Sequence, residues 1–346
     1  MVCKRSAVWG IAVAVGLAGC AQSPPRPAEE PADVISSETL PQVVATTSVL
    51  CDLTEQIAQE TVALTCLMQP GQDPHTYAAK PSDRKAIEQA DLILYGGYDD
   101  APALGQMLTA SRSSAPQIAV YEAAVPEPLM TDAHDHDHAE EVSADAASHQ
   151  EDSAAPSPDP HVWHSALNNS QLVDAIAASL SRLDAGQEAR YQQNAARLTA
   201  QFAALNDWIE AQVATIPSEQ RKLITTHDAF QYFADAYGFE VEGALSGFST
   251  EEKPSARQLS ELATEIKAAG VPAIFAETTA DKALMETLAR SADTAVATQP
   301  LYVEGPVEDG TVQQMLIANT CTIVDALGGR CDKATAPAAT AVRDSE

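Results

Sequence analysis

The chain has 346 residues and a formal net charge of −29 at pH 7, with 49 Asp and Glu against 20 Lys and Arg. This balance argues against nucleic acid as a partner, because phosphate recognition needs a basic surface. A negative field attracts cations, although acidic surfaces also serve solubility alone.

The first residues have the pattern of an exported lipoprotein. Two cationic residues precede an apolar run over residues 7–18, which is too short to span a bilayer, and Leu-Ala-Gly-Cys follows, ending at Cys20. These four residues resemble a bacterial lipobox, in which the cysteine is lipidated. We therefore predict a signal peptide over 1–19, a flexible tether over 20–41, and an extracytoplasmic protein, periplasmic or at the cell surface, anchored by lipid. An ordinary secretory signal with a chance cysteine is the alternative.

Strand-like and helix-like segments alternate after the tether. Apolar or β-branched runs predict strands at 43–47, 63–68, 92–95 and 117–121, and helical spacing predicts helices at 51–60, 82–90 and 103–111. The same order returns after residue 221, with strands at 223–226, 240–244, 273–276 and 294–298 and helices at 229–237, 256–269, 281–292 and 312–327. This βαβ rhythm predicts an α/β fold with two doubly wound parallel-sheet lobes, over 42–186 and 217–330, and a tail over 331–346.

A long helical region separates the two predicted lobes. Residues 169–183 form one amphipathic helix, broken near Gly186, and helical spacing then continues over 187–216 until Pro217. A helix of that length would extend roughly 45 Å at 1.5 Å per residue. We predict a rigid backbone helix that joins the lobes, rather than the flexible strands of a hinge.

Residues 126–160 interrupt the first lobe. The segment is acidic, has almost nothing apolar to bury, and carries four histidines, His134, His136, His138 and His149. We predict a disordered surface loop whose imidazoles capture a borderline metal such as zinc weakly. A solvated acidic insertion with incidental histidines is the alternative.

Four cysteines remain beyond the predicted lipidation site: Cys51, Cys66, Cys321 and Cys331. They permit three pairings. We favour disulfides between Cys51 and Cys66 and between Cys321 and Cys331, because each closes a short loop, with free buried thiols as the alternative. None lies in a CxxC motif, so a thiolate zinc site has no support.

Three further histidines lie in short turn motifs: Asp-Pro-His-Thr-Tyr at His75, Asp-Pro-His-Val-Trp at His161 and Thr-His-Asp-Ala-Phe at His227. The gaps between them are 161 − 75 = 86 and 227 − 161 = 66 residues, so only the fold can bring them together. Neutral imidazole is a good zinc ligand, and α/β sheets place ligand sites at the carboxyl ends of strands. The three motifs therefore predict a metal site across a cleft. The remaining histidine, His164, either begins a helix or orients a ligand.

In this order the motifs resemble those of the metal-binding lipoproteins of zinc and manganese ABC importers, the cluster A-I or cluster 9 solute-binding family. The resemblance covers nearly all of the mature chain and is greatest for zinc-type members, in which an acidic His-rich loop precedes the second ligand. It implies two α/β lobes joined by one long helix, a membrane permease as partner, and a protein that we expect to be a monomer. Besides the three histidine motifs, it is carried by Val43 to Ser48, Lys80-Pro81-Ser82-Asp83 and Glu252-Lys253-Pro254-Ser255.

The resemblance makes His75, His161 and His227 metal ligands. It places the fourth ligand, an Asp in many members, at Glu304, with Asp281 or a water as alternatives. Manganese-type members often carry a carboxylate at the third position, so the nitrogen of His227 favours zinc, with manganese or iron kept open.

We therefore expect a solute-binding protein that captures a divalent transition metal, Zn²⁺ in first place and Mn²⁺ in second, and delivers it to an ABC importer permease. We expect no catalytic residues. The alternatives from other classes are a zinc-dependent hydrolase and a surface adhesin. No HExxH, GxSxG or Gly-rich phosphate loop supports the hydrolase.

Overall fold

The computed structural model describes residues 40–130, 156–246, 255–279 and 282–338. Several predictions lie outside these residues. They concern the signal peptide, Cys20, nearly all of the tether, the four loop histidines, Asp281 as an alternative ligand, and the end of the tail.

The first lobe alternates strands and helices as predicted. Its elements are β1 Gln42–Ala45, α1 Ser48–Ala58, β2 Ala63–Cys66, α2 Pro81–Gln89, β3 Leu92–Tyr95, α3 Pro102–Thr109, β4 Gln117–Ala119 and α4 Val120–Ala124. The strands form one sheet in the order β2-β1-β3-β4, and each neighbouring pair is parallel. Helices cover both faces of such a sheet, which explains why Leu92, Ile93 and Leu94 are all buried.

Two helices then lead to the second lobe: α5 Ala166–Leu183 and α6 Glu188–Val213. At 1.5 Å per residue, α6 extends roughly 39 Å. Its buried stripe includes Leu198, Phe202 and Ile209, which belong to one hydrophobic core shared with side chains of both lobes. The predicted long backbone helix is therefore present, and it ends three residues before the expected limit.

The second lobe repeats the topology of the first. Its elements are β5 Lys222–His227, α7 Gln231–Tyr237, β6 Glu240–Ser246, α8 Ala256–Ala269, β7 Ala273–Ile274, α9 Lys282–Ala292, β8 Ala295–Val296 and α10 Val312–Ala326. Strands β5 and β6 pair in parallel, as do β7 and β8. Phe275 N–H donates to the Ile224 carbonyl at 2.9 Å and joins the two pairs. The resulting order, β6-β5-β7-β8, confirms the predicted α/β class.

Several predicted strands extended too far, and the one over 117–121 shows the physical reason. The sequence favoured a strand over 117–121, but β4 pairs with β3 only as far as Ala119, opposite Tyr95, where β3 ends. Because no strand continues beside it, the chain turns into α4 and buries Val120 and Tyr121.

The structure contains both favoured disulfides. Cys51 on α1 is bonded to Cys66 at the end of β2, and Cys321 on α10 is bonded to Cys331, with Cα–Cα distances of 5.6 and 5.1 Å. The first bond ties α1 to β2 within the first lobe, and the second ties α10 to the segment that follows it. Among the helices of the described ranges, none combines the length and the apolar character that a membrane crossing requires.

Candidate metal centre

Four side chains from distant parts of the chain converge in the structure. His75, His161, His227 and Glu304 each offer one ligand atom, and these atoms all lie within 4.8 Å of one another. The Nε2 atoms of His75 and His161 are 3.2 Å apart, and Glu304 Oε1 lies 3.2 Å from His227 Nε2 and 3.9 Å from His75 Nε2. The fold thus brings together the four side chains that the sequence predicted.

The cluster is almost closed to solvent. His161 and His227 are fully buried, and the Glu304 side chain is 1% exposed. The His75 side chain, at 7%, is the most accessible of the four. Solvent therefore reaches the cluster on the side of His75.

His161 is held by a buried carboxylate two residues earlier. Asp159 Oδ1 accepts the backbone N–H of His161 at 2.9 Å and lies 2.7 Å from the ring Nδ1. A proton on Nδ1 satisfies this contact and leaves the lone pair of Nε2 free to bind a metal. The local motif therefore sets both the orientation and the tautomer of the ring.

His227 ends β5 and has a similar partner from much further along the chain. Glu277, which follows β7, places Oε2 2.5 Å from His227 Nδ1. Its other oxygen accepts the backbone N–H groups of Thr226 and His227, both at 3.0 Å. Sequence reasoning missed this carboxylate, although Glu277 directly follows a predicted strand, as His227 does.

His75 and Glu304 are positioned by backbone contacts. His75 N–H donates to Asp73 Oδ1 at 2.8 Å, a turn typical of the Asp-Pro-His sequence. The segment that carries Glu304 accepts two hydrogen bonds from the first lobe. Ser48 Oγ donates to the Glu304 carbonyl at 3.0 Å, and Trp163 Nε1 donates to the Val303 carbonyl at 2.8 Å.

The electrostatics of the cluster favour a cation. Burial lowers the pKa of His161 well below its ordinary value and raises the pKa of Asp159 to about 7. Burial alone would also lower the pKa of His227, but the carboxylates of Glu277 and Glu304 outweigh it and raise that pKa well above 6.5. Two carboxylates thus hold positive charge at a fully buried site.

Three atoms of the cluster are left without hydrogen bonds. His227 Nε2 and both carboxylate oxygens of Glu304 are buried, and although Nε2 and Oε1 lie 3.2 Å apart, none of the three atoms makes a hydrogen bond of good geometry within the described ranges. Such burial costs free energy. A cation at the centre would satisfy these atoms, and three imidazoles with one carboxylate match the tetrahedral donor set of zinc.

His164, which belongs neither to the three turn motifs nor to the His-rich loop, has a different environment. It ends the short 3₁₀ turn Val162–His164, is fully buried, and stacks on Phe230 with ring centroids 4.4 Å apart. Burial lowers its pKa well below 6.5. It is not one of the four convergent side chains, and it lies two residues before α5, which begins at Ala166.

The chain resembles several known metal-binding proteins. The profile of the family described as "Zinc-uptake complex component A periplasmic" matches residues 43–326. The zinc-binding protein TroA of Treponema pallidum is 35% identical over 248 residues, 72% of this chain and 73% of that protein. The manganese-binding lipoprotein MntA of Bacillus subtilis is 31% identical over 294 residues, 83% and 89% of the two chains. The solved structure of periplasmic TroA matches with a TM-score of 0.72 and 32% identity, covering 83% of this chain and 99% of that one.

Proposed function

The chain belongs to the periplasmic zinc-uptake component A family of metal-binding proteins that serve ABC importers, and we propose that its cargo is zinc, bound by His75, His161, His227 and Glu304. Family members bind a substrate and pass it to a permease, and they are not enzymes. The hydrolase alternative is therefore set aside. The observation that carries the proposal is the convergence of four ligand atoms within 4.8 Å, three of them on buried residues and the fourth on the partly buried His75.

The choice of zinc comes from the donor set. The relatives do not decide it, since the name of TroA specifies zinc and that of MntA specifies manganese. Three nitrogens and one carboxylate suit zinc, whereas manganese favours oxygen ligands and larger coordination numbers. Manganese is the second candidate, because a bidentate Glu304 and a water would complete a larger shell.

Capture and release both involve His75. Its ring is the most accessible of the four, and it is positioned through its backbone N–H, whereas the rings of His161 and His227 each contact a carboxylate. A metal therefore meets His75 first on capture, and His75 is the ligand that a docked permease displaces most easily. Lipidation of Cys20 would keep the monomeric protein near that permease.

The direct test is metal content with competitive titration of the purified protein against a chromophoric chelator. We expect one tightly bound zinc per chain, which excess manganese does not displace. The double variant His75→Ala with His161→Ala should purify without zinc. Undiminished tight binding by this variant would show that the site lies elsewhere, and tight retention of manganese by the unchanged protein would reassign the cargo.

The same titration tests the predicted role of the histidines at 134, 136, 138 and 149. Deletion of residues 132–150 should remove weak zinc binding and leave the single tight zinc in place. Loss of the tight zinc on this deletion would contradict the four-ligand centre.

A further inference from the structure

The most accessible of the four proposed ligands, His75, lies in a loop between β2 and α2, residues 67–77, which we call the His75 loop. The rings of His161 and His227 each contact a buried carboxylate. His75 instead has its backbone N–H bonded to Asp73 within the loop. The position of its ring therefore depends on how firmly the loop itself is held.

One hydroxyl group joins the two ends of this loop. Tyr77 is buried, and its O–H donates to the carbonyl of Leu67, the first residue of the loop, at 3.1 Å and to Asp83 Oδ2 on α2 at 3.0 Å. A phenol has a single proton to donate, and both acceptors lie within its reach. The loop is thus closed between Leu67 and Tyr77, and His75 lies two residues before the point of closure.

The acceptor, Asp83, is held in place by the start of α2. It occupies the third position of the helix, where Oδ2 also accepts the Lys80 N–H at 2.7 Å in a capping box. A carboxylate in the first turn is stabilised further by the positive end of the helix dipole. The motif Lys80-Pro81-Ser82-Asp83, which carries part of the family resemblance, therefore presents a fixed carboxylate to the Tyr77 hydroxyl.

Tyr77 passes this anchoring on to His75 over a short distance. Its ring belongs to a hydrophobic cluster of the first lobe, together with Val44 on β1 and Ile87 on α2. Its backbone N–H donates to the Pro74 carbonyl at 3.3 Å, so residues 74–77 form a turn that contains His75. A displacement of Tyr77 therefore moves His75 as well.

We propose that Tyr77 and Asp83 are positioning residues for His75, and that the hydrogen bond between them slows metal release by holding the His75 loop closed. This inference rests on the proposed function, since it requires His75 to bind the metal. It adds the contact that sets how readily the most accessible ligand leaves. Loss of a hydrogen-bond partner of a ligand typically costs about ten- to a hundredfold in metal affinity. Because Tyr77 acts through the backbone, its effect belongs at the lower end of that range.

The test uses the full chain, loaded with one equivalent of zinc, and measures zinc dissociation after addition of excess chromophoric chelator. Tyr77→Phe keeps the buried ring, removes the hydroxyl, and should release zinc about tenfold faster than the unchanged protein. In a His75→Ala background the same substitution should change the rate by less than about twofold, because the ligand through which Tyr77 acts is gone. An equal acceleration in both backgrounds, or none in either, overturns the proposal.

The spectrum of the Co²⁺-loaded protein gives a second readout, which decides the question if His75→Ala holds zinc too weakly for a rate. Tetrahedral Co²⁺ has intense visible bands, and a ligand that leaves its position weakens them. The bands of Tyr77→Phe should therefore be weaker than those of the unchanged protein. Unchanged bands overturn the proposal.

Tyr191→Phe is the matched control, since Tyr191 is also buried and its hydroxyl lies 3.0 Å from that of Thr61, outside the His75 loop. It should leave zinc release unchanged, and acceleration equal to that of Tyr77→Phe overturns the proposal. Asp83→Asn decides the question if Tyr77→Phe does not fold. It keeps an oxygen for the Lys80 N–H, removes the charge that strengthens the bond from Tyr77, and should speed release severalfold. Absence of tight zinc from the unchanged protein would instead contradict the proposed function, so the two failures are distinguishable.

Discussion

The two lobes share one strand order but place different chemistry where that order reverses. In the second lobe, the adjacent strands β5 and β7 lead to His227 and Glu277, whose side chains contact each other at the proposed metal centre. In the first lobe, the equivalent strands β1 and β3 lead to Thr46 and to the loop with Asp100, which has no hydrogen-bond partner within the described ranges. That lobe supplies His75 from the loop after the edge strand β2 instead. At equivalent positions of the repeated topology, one carboxyl group, that of Glu277, contacts a histidine. The other, that of Asp100, has no hydrogen-bond partner within the described ranges.

The largest expected effect on zinc affinity comes from removing His227, the histidine that contacts Glu277. His227→Ala deletes a proposed nitrogen ligand and also leaves Glu277 without the ring that it contacts. We expect zinc affinity to fall by about a hundredfold or more. His75→Ala removes one ligand without leaving a buried carboxylate unpaired, so it should cost less. Chelator competition on both variants checks this order, and a larger loss for His75→Ala would contradict it.

The next largest effect is a pH dependence of zinc affinity, because protons and zinc compete for His227. Because the pKa of His227 is raised in the metal-free protein, the ring holds a proton that zinc must displace. Zinc affinity should therefore rise with pH, by about tenfold per unit while the ring stays protonated. Calorimetry in buffers of different ionisation enthalpy would count the protons released on binding. Release of none near pH 7 would contradict this prediction.

Glu277→Gln tests the paired carboxylate alone. An amide of the same shape can still meet the backbone N–H groups of Thr226 and His227, but it no longer holds charge next to the ring. We expect a loss of about ten- to a hundredfold in zinc affinity. Glu286→Gln on α9, an acid outside the centre, is the control and should change nothing. An unchanged affinity for Glu277→Gln would mean that β5 alone orients His227.

The sequence predicted the proposed ligands better than the carboxylates that orient them. The Asp-Pro-His motif contains the carboxylate that orients His161, because Asp159 lies two residues before it. The carboxylate for His227 is 50 residues away and meets the ring only because β5 and β7 are neighbours, which periodicity does not specify. The burial of Asp100 could not be predicted from the sequence for the same reason. Its burial depends on Gly96 and on packing against Tyr121, not on any local pattern.

The smallest expected effect concerns the contact between the lobes. Ser48, Asp52 and Gln56 lie at successive turns of one face of α1, and each hydrogen-bonds to the second lobe: Ser48 to the Glu304 carbonyl, Asp52 to the Val312 N–H and Gln56 to the Gln313 amide. These three hydrogen bonds support the segment that carries Glu304. None of them involves its carboxylate, which is the proposed ligand.

Ser48→Ala should therefore leave one tight zinc bound and speed its release. The lost hydrogen bond contributes about 0.5–1.5 kcal/mol, so the dissociation rate should rise about two- to tenfold. Ser181→Ala on α5 is the matched control, since Ser181 donates only within its own helix. If Ser48→Ala lowers the melting temperature but leaves the zinc dissociation rate unchanged, the contact supports the fold alone. A faster release shows that α1 of the first lobe helps to hold a ligand of the second.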